Sequence, residues 1–201
     1  MPVTEFAILE ARAPYTVDSP IIQTFLQKVA QRQAAWSGYP LLFFRDSKTP
    51  AIIFLISGWK NIPAHQEWIA SDGNQDFLRE MQDILEVRAF HHLEINFETI
   101  PSNVSCLTWQ TLPYDHAESE GRPALGSGID GIMSKAVWEG SGRVLDGDEE
   151  GWHKLRAYIT STEEGAAAGG RLDGHQSVAM DGVLGTQGPN LVVTMFRLTF
   201  P

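Results

Sequence analysis

The run from Ala51 to Ile56, AIIFLI, is apolar without interruption and rich in β-branched residues, and together with the segment that continues to Asn96 it limits the fold more than any other part of the chain. A run this short suits a strand covered on both faces better than a buried helix. Ser57-Gly58-Trp59 then turns the chain. Asn61 with Pro63 marks a helix start, because proline has no N–H to leave unpaired in a first turn and its φ is already helical. His65, Trp68 and Ile69 lie at helical spacing and share one face of that helix. Asp72 and Gln75 form a second capping pair, after which Phe77, Leu78, Met81, Ile84 and Leu85 continue an apolar stripe. The segment from Val87 to Asn96 returns as a strand.

The residues before this stretch supply a strand, a helix and a strand. Val3 to Glu10 reads as a first strand, and Ser19-Pro20 opens a helix whose stripe of Ile22, Phe25, Leu26, Val29 and Trp36 runs until Gly38 stops it. Leu41 to Arg45 is a second strand. The order over residues 1–100 is therefore βαββαβ, a complete ferredoxin-like unit. Its helices cover one sheet face, and the other face needs a partner. Residues 101–130 read as an extra strand, 104–111, and a loop rich in Pro, Gly, Ser and acids. Residues 131–201 read as a partial second unit: a strand from Ile132 to Glu139, the loop GSGRVLDGD, and a helix from Glu149 to Thr162 with Trp152, Leu155 and Ile159 on one face. A hairpin of Gln176 to Leu184 and Leu191 to Phe200 completes it. The expected architecture is α+β, an intrachain pseudo-dimer with a truncated second repeat.

The segments FLISGW at 54–59, AHQEWIAS at 64–71, NQDFL at 74–78 and HHLE at 91–94 resemble the dimeric α+β barrel superfamily, and within it the antibiotic-biosynthesis-monooxygenase-like (ABM-like) domains, especially fungal ones. The resemblance covers about a quarter of the chain. It implies a ferredoxin-like barrel, and relatives of this kind include monooxygenases, haem-degrading enzymes, isomerases, cyclases, decarboxylases and proteins without known activity.

Strand alternation sorts the candidate residues. Along the fourth strand, Arg88, Phe90, His92, Glu94 and Asn96 form one set and Val87, Ala89, His91, Leu93 and Ile95 the other; the first set is the expected barrel interior. His92 and Glu94 on one face suit a base and its orienting carboxylate, and a register error of one residue would put His91 in place of His92. The same face equally suits contact with solvent or with the partner unit. His65 is a candidate base at the barrel mouth, with Trp59 or Trp68 stacking on a flat substrate. Alternatively its imidazole bonds a backbone carbonyl at the helix start and Trp68 is core. Trp109, Asp115 and His116 border the long loop, a candidate lid. Arg88, Phe90 and these three complete the candidate substrate-binding set.

Other chemistries are excluded. A net charge of −10 without any basic run excludes nucleic acid as a partner. No membrane-length apolar segment and no amino-terminal secretory pattern is present, so the expected location is cytoplasmic. The single cysteine, Cys106, forms no internal disulfide. Adjacent His91 and His92 point to opposite strand faces, so no metal site is expected. Gly126 to Gly131 spells GxGxxG but follows a loop and leads into a strand, the wrong context for a dinucleotide fingerprint. What the resemblance implies is a small-molecule enzyme without metal or organic cofactor, acting on a hydrophobic, polyketide-like or aromatic intermediate of secondary metabolism. Its reaction would be cyclisation, isomerisation, dehydration or cofactor-free oxygenation, and a homodimer is possible. A haem-degrading monooxygenase is a lesser alternative. The rival is a non-catalytic ligand-binding or stress-response barrel, whose interior would be filled by Phe43 or Phe44, Phe90 and Trp109.

Overall fold

A computed structural model describes residues 2–112, 136–146, 151–159 and 192–200. Within them lie strands β1 (Val3–Ala11), β2 (Leu41–Asp46), β3 (Ile52–Trp59), β4 (Leu85–Leu93), β5 (Cys106–Leu112), β6 (Trp138–Arg143), β7 (Trp152–Tyr158) and β8 (Val192–Arg197). The described helices are α1 (Pro20–Ser37), α2 (Ile62–Ala70) and α3 (Asp72–Met81), with a short 3₁₀ turn at Phe97–Thr99. The strands form one antiparallel sheet in the order β4-β1-β3-β2-β8-β5-β7-β6. Its two edges meet. Leu93 bridges Val144, the Glu94 N–H donates to the Arg143 carbonyl at 2.9 Å, and the Leu145 N–H donates to the His92 carbonyl at 2.8 Å. The fold is therefore an α+β barrel whose seam closes within one chain.

The helices begin and end as their sequence signals require. Proline opens α1, and Gly38 ends it with φ of 78°, a left-handed conformation that glycine adopts without a Cβ penalty. The Asn61 side chain accepts from the Ala64 N–H and caps α2. At the next helix the cap is Ser71 rather than Asp72, since the Ser71 hydroxyl accepts from the Asn74 N–H.

Two apolar layers lie on opposite sides of the sheet. Between sheet and helices pack Ala7, Leu9, Ile22, Phe25, Leu26, Phe43, Leu55, Trp59, Trp68 and Phe77. Inside the barrel pack Phe6, Ile8, Phe44, Phe54, Leu107, Trp109, Leu155, Ala157 and Met195. Because both faces of β1 and β3 are covered, these strands are apolar nearly throughout. Phe6 is the hub of the interior, with its ring 5.1 Å from Trp109 and 6.1 Å from Phe54.

The second half departs from its expected elements. Residues 152–158 form a strand, not part of a helix, and pair with β5 and β6. The segment WHKLRAY satisfies both periods, and pairing on two sides decides for the strand: His153, Leu155 and Ala157 turn inward at period two. The glycines of WEGSGR, expected to end one strand and begin a loop, lie within β6. The strand expected at 104–111 as a gap filler is β5, which sits between β8 and β7 as β1 sits between β4 and β3. Phe196 and Met195 of β8 pair with β2 and β5 rather than within a local hairpin. The other expected hairpin strand, 176–184, lies outside the described residues, as does the first half, 132–135, of the expected strand at 132–139. Trp36, assigned to the buried stripe of α1, is 53% exposed and leans on Trp68 at 5.5 Å.

A candidate acid/base site between sheet and helices

β1 and β4 pair with Glu5 opposite His92 and Phe6 opposite His91. This register decides the destination of the two histidines. Phe6 faces the barrel interior, so His91 does too; Glu5 and His92 face the helices. The expected interior set of the fourth strand is thus reversed. The more apolar set, with Ala89, Leu93 and Ile95, packs inside the barrel rather than under the helices, and an irregularity in the pairing between Ile8 and Leu9 leaves Arg88 without a partner residue on β1 and shifts the alternation that a regular strand would keep.

On the helix side, four titratable side chains stand in a row. His92 Nδ1 lies 2.7 Å from Asp146 Oδ1, and the His92 backbone N–H donates to Asp146 Oδ2. His92 Nε2 lies 2.8 Å from His65 Nδ1. His65 Nε2 faces Glu5 Oε1 at 3.7 Å. Glu5 Oε2 accepts from Trp59 Nε1–H at 2.6 Å and from Gln33 Nε2–H at 2.9 Å, and Gln33 also donates to Ser57 Oγ at 3.2 Å. The His65 ring stacks on Trp59 with centroids 4.2 Å apart and planes 13° from parallel, and Phe90 flanks both imidazoles. Glu5 is 4% exposed, His65 3% and His92 2%, whereas the Asp146 side chain is 31% exposed. The row runs from a sealed end to an open one.

Burial sets its electrostatics. It pushes the Glu5 carboxyl up to about 7, against the weaker opposing effect of the Trp59 and Gln33 donors. It lowers His65 to about 3, with His92 acting in the same direction and Asp146 opposing. His65 is therefore a neutral imidazole at physiological pH, and its approach to Glu5 is not an ion pair.

The other expected site residues fall elsewhere. Glu94 does not orient His92: β4 ends at Leu93, and Glu94, 39% exposed, binds Arg143 Nε at 2.7 Å. Arg88 pairs with Glu10 and Glu86, each at 3.2 Å, on the wall of a cavity of about 440 Å³ also lined by Arg12 and Asp83 and by none of the imidazoles. His65 bonds His92 rather than a backbone carbonyl. Trp59 touches the row, while Trp68 is core against Phe77. Trp109 lies inside the barrel, where its Nε1–H donates to His153 Nδ1 at 3.0 Å; the ring of His91 is 5.2 Å from that of His153. Burial, with His91 adding to it, lowers His153 to about 4. Asp115 and His116 lie outside the described residues. Among the described residues no group of three or more His, Cys, Asp or Glu is arranged to hold a metal ion, and no helix is long and apolar enough to cross a membrane.

The interior contact gives a stability prediction. Trp109→Phe should cost roughly 1–3 kcal/mol, because it leaves the buried His153 Nδ1 without its donor while keeping most of the apolar volume. Urea unfolding with an unchanged m-value would measure it.

Glu5, Gln33, Asp146 and His153 were not among the expected site residues. The signal for Glu5 was a charged residue in the middle of a largely apolar first strand, just before the run Phe6 to Leu9. Asp146 had none, being 54 residues from His92 in a segment read as loop.

No protein-family model and no curated protein matches the sequence. Solved structures do resemble it. A protein assigned to the monooxygenases from Lactobacillus acidophilus superposes with a TM-score of 0.54 at 16% identity, covering 98% of this chain and 93% of its own. One from Fusobacterium nucleatum, likewise assigned, gives 0.58 at 8% identity, covering 98% and 93%. An anthrone oxidase-like protein gives 0.54 at 13% identity, covering 98% and 92%. These similarities show the fold, that of the dimeric α+β barrel proteins, over almost the whole length of both partners.

Proposed function

We propose that this protein is a small-molecule enzyme that works by acid/base chemistry without a metal or bound organic cofactor, with the row Asp146–His92–His65–Glu5 as its proton-handling group. The row itself carries the reading. Placing two imidazoles and a carboxyl in an apolar layer costs stability that well-packed hydrophobic side chains would not, and buried groups with displaced pKa values concentrate at functional sites. A carboxyl moved to about 7 is suited to giving and taking a proton near neutral pH, and His65, kept neutral, can accept at one ring nitrogen as it releases at the other.

The substrate class we favour is a hydrophobic aromatic or polyketide-like molecule with an acidic C–H or O–H. Its reaction would be cyclisation, isomerisation or dehydration, or oxygenation of the carbanion that deprotonation leaves, with the substrate supplying the electrons. The anthrone oxidase-like and monooxygenase-assigned structures of the same fold are compatible with this class. The chain is counted as a pseudo-dimer whose first unit carries Glu5, His65 and His92; the equivalent order of the four described strands from Cys106 onward supports a second unit that starts there rather than at residue 131 and supplies Asp146.

A panel of anthrone and naphthol substrates, followed by oxygen uptake and by product formation under nitrogen, tests the proposal. His92→Leu should lower turnover by about 10²–10⁴-fold, the usual contribution of a positioned acid or base. Glu94→Gln, which alters only the Arg143 ion pair, should leave it unchanged. Equal rates for His92→Leu and the unaltered protein would refute the assignment. A second reading, a barrel without catalysis, is favoured by one observation: Phe6, Phe44, Phe54 and Trp109 fill the interior as a packed barrel requires, although Phe43 and Phe90 lie on the helix side.

A further inference from the structure

We infer that the row is a directional proton relay whose outlet is Asp146, and that Asp146, contributed by the segment after β6, is the positioning residue that fixes the tautomers of both imidazoles on the first unit. The use of this relay in turnover rests on the function proposed above; its existence does not.

The tautomers are set from the open end inward. A carboxylate only accepts, and Asp146 uses one oxygen for the His92 backbone N–H and presents the other to His92 Nδ1. His92 therefore carries its proton on Nδ1. Its Nε2 then has a lone pair, and the 2.8 Å contact to His65 Nδ1 is a hydrogen bond only if His65 donates. That puts the His65 proton on Nδ1 and leaves Nε2 as an acceptor facing Glu5. A protonated Glu5 completes the resting arrangement, with its hydroxyl directed at His65 and its other oxygen held by Trp59 and Gln33. One shift reverses the order. The Glu5 O–H bond breaks as an N–H bond forms at His65 Nε2; the His65 Nδ1–H bond breaks as one forms at His92 Nε2. Glu5 becomes a carboxylate and His92 an imidazolium beside Asp146, so the net charge of the row is conserved. An excess proton is thus moved from the sealed carboxyl to His92, next to the one member of the row that reaches the surface.

The row also contains its own interruption. Two of its three links are at hydrogen-bond distance, while the 3.7 Å between His65 and Glu5 is too long for one, so transfer waits on about 1 Å of approach by the ring or the carboxyl. The groups that face the two imidazoles are Glu5 on β1, Trp59 on β3, Phe90 on β4 and Asp146 after β6, while Gln33 on α1 holds Glu5 and Ser57. Of these only Glu5 and Asp146 carry ionisable carboxyl groups. The seam contacts at Leu93–Val144 and Leu145–His92 hold Asp146 in place, so the site on the first unit is complete only when the barrel closes.

Long-range proton–nitrogen correlation spectra of the full chain with ¹⁵N-labelled histidine read the tautomers directly and need no substrate. The unaltered protein should show both His92 and His65 protonated on Nδ1. Asp146→Asn keeps the shape but must use its single oxygen for the His92 backbone N–H, turning its amide N–H toward His92 Nδ1. Both imidazoles should then switch to the Nε2–H form, and Asp146→Glu should restore the original pattern. A resting protein in which either ring carries its proton on Nε2 would overturn the relay, and so would an Asp146→Asn variant in which His92 switches and His65 does not. If Asp146→Asn does not fold, the resting tautomers of the unaltered protein decide alone. Loss of turnover with the tautomers as described would count against the proposed function and not against the relay; the reverse pattern separates them the other way.

Discussion

Glu5→Gln is expected to be more stable than the unaltered protein by about 3 kcal/mol at pH 8 and no more stable at pH 4.5. The Glu5 carboxyl titrates near 4.5 in an unfolded chain and at about 7 in the folded one, a difference worth about 3 kcal/mol. Between those values the folded state holds a proton that the unfolded state has released, so stability declines as pH rises through the window and the full cost is present above 7. Glutamine mimics the protonated form: its oxygen accepts from Trp59 and Gln33, and its amide donates toward His65. The cost vanishes with the ionisation. His65 acts with the opposite sign. Its folded value lies at about 3, below the unfolded 6.5, so its contribution is present above pH 6.5 and is lost as pH falls toward 3. The two slopes offset each other between about pH 4.5 and 6.5 in the unaltered protein, and only the rising one remains in Glu5→Gln. Urea unfolding across that range measures both.

Gly142→Val is expected to destabilise the barrel by about 3 kcal/mol or more. A Cβ at this position would lie 2.5 Å from the Glu94 carbonyl oxygen and 2.8 Å from Ile95 Cγ1. Backbone stands in the way, so the seam between β4 and β6 must open rather than a side chain turn aside. The same movement would withdraw Asp146 from His92, since Leu145 is hydrogen-bonded to His92 across this seam. The variant should therefore lose hydrogen-exchange protection at the Glu94 amide, which donates to Arg143 across the seam. Retained protection would mean that the edges are not held together here.

The first half of this fold was legible because each element announces itself. Pro20 and Gly38 bound α1, Asn61 caps α2, and the apolar run at Ile52–Ile56 is a strand covered on both sides. The second half was not, because its strands depend on their partners. WHKLRAY fits a helix as well as a strand until β5 and β6 flank it, and the glycines of β6 resemble a loop although Gly142 is there because the seam admits no side chain. At the site, His65 and His92 were visible as candidates, but alternation alone placed His92 in the interior. Pairing with Glu5 across β1 is what turns it toward α2. The partner chosen for it, Glu94, was near in sequence; the one it has, Asp146, is brought from far along the chain by the closing of the barrel. Sequence proximity favours local partners, and a closed sheet supplies distant ones.

We propose that the helix-side row, and not the barrel interior, handles protons for a small molecule. The most direct test is a titration of the protein with a naphthol or anthrone, followed by the imidazole nitrogen resonances of His65, His91, His92 and His153. His92 and His65 should shift with saturation while His91 and His153 stay in place. Shifts confined to His91 and His153 would put the ligand inside the barrel and contradict the claim.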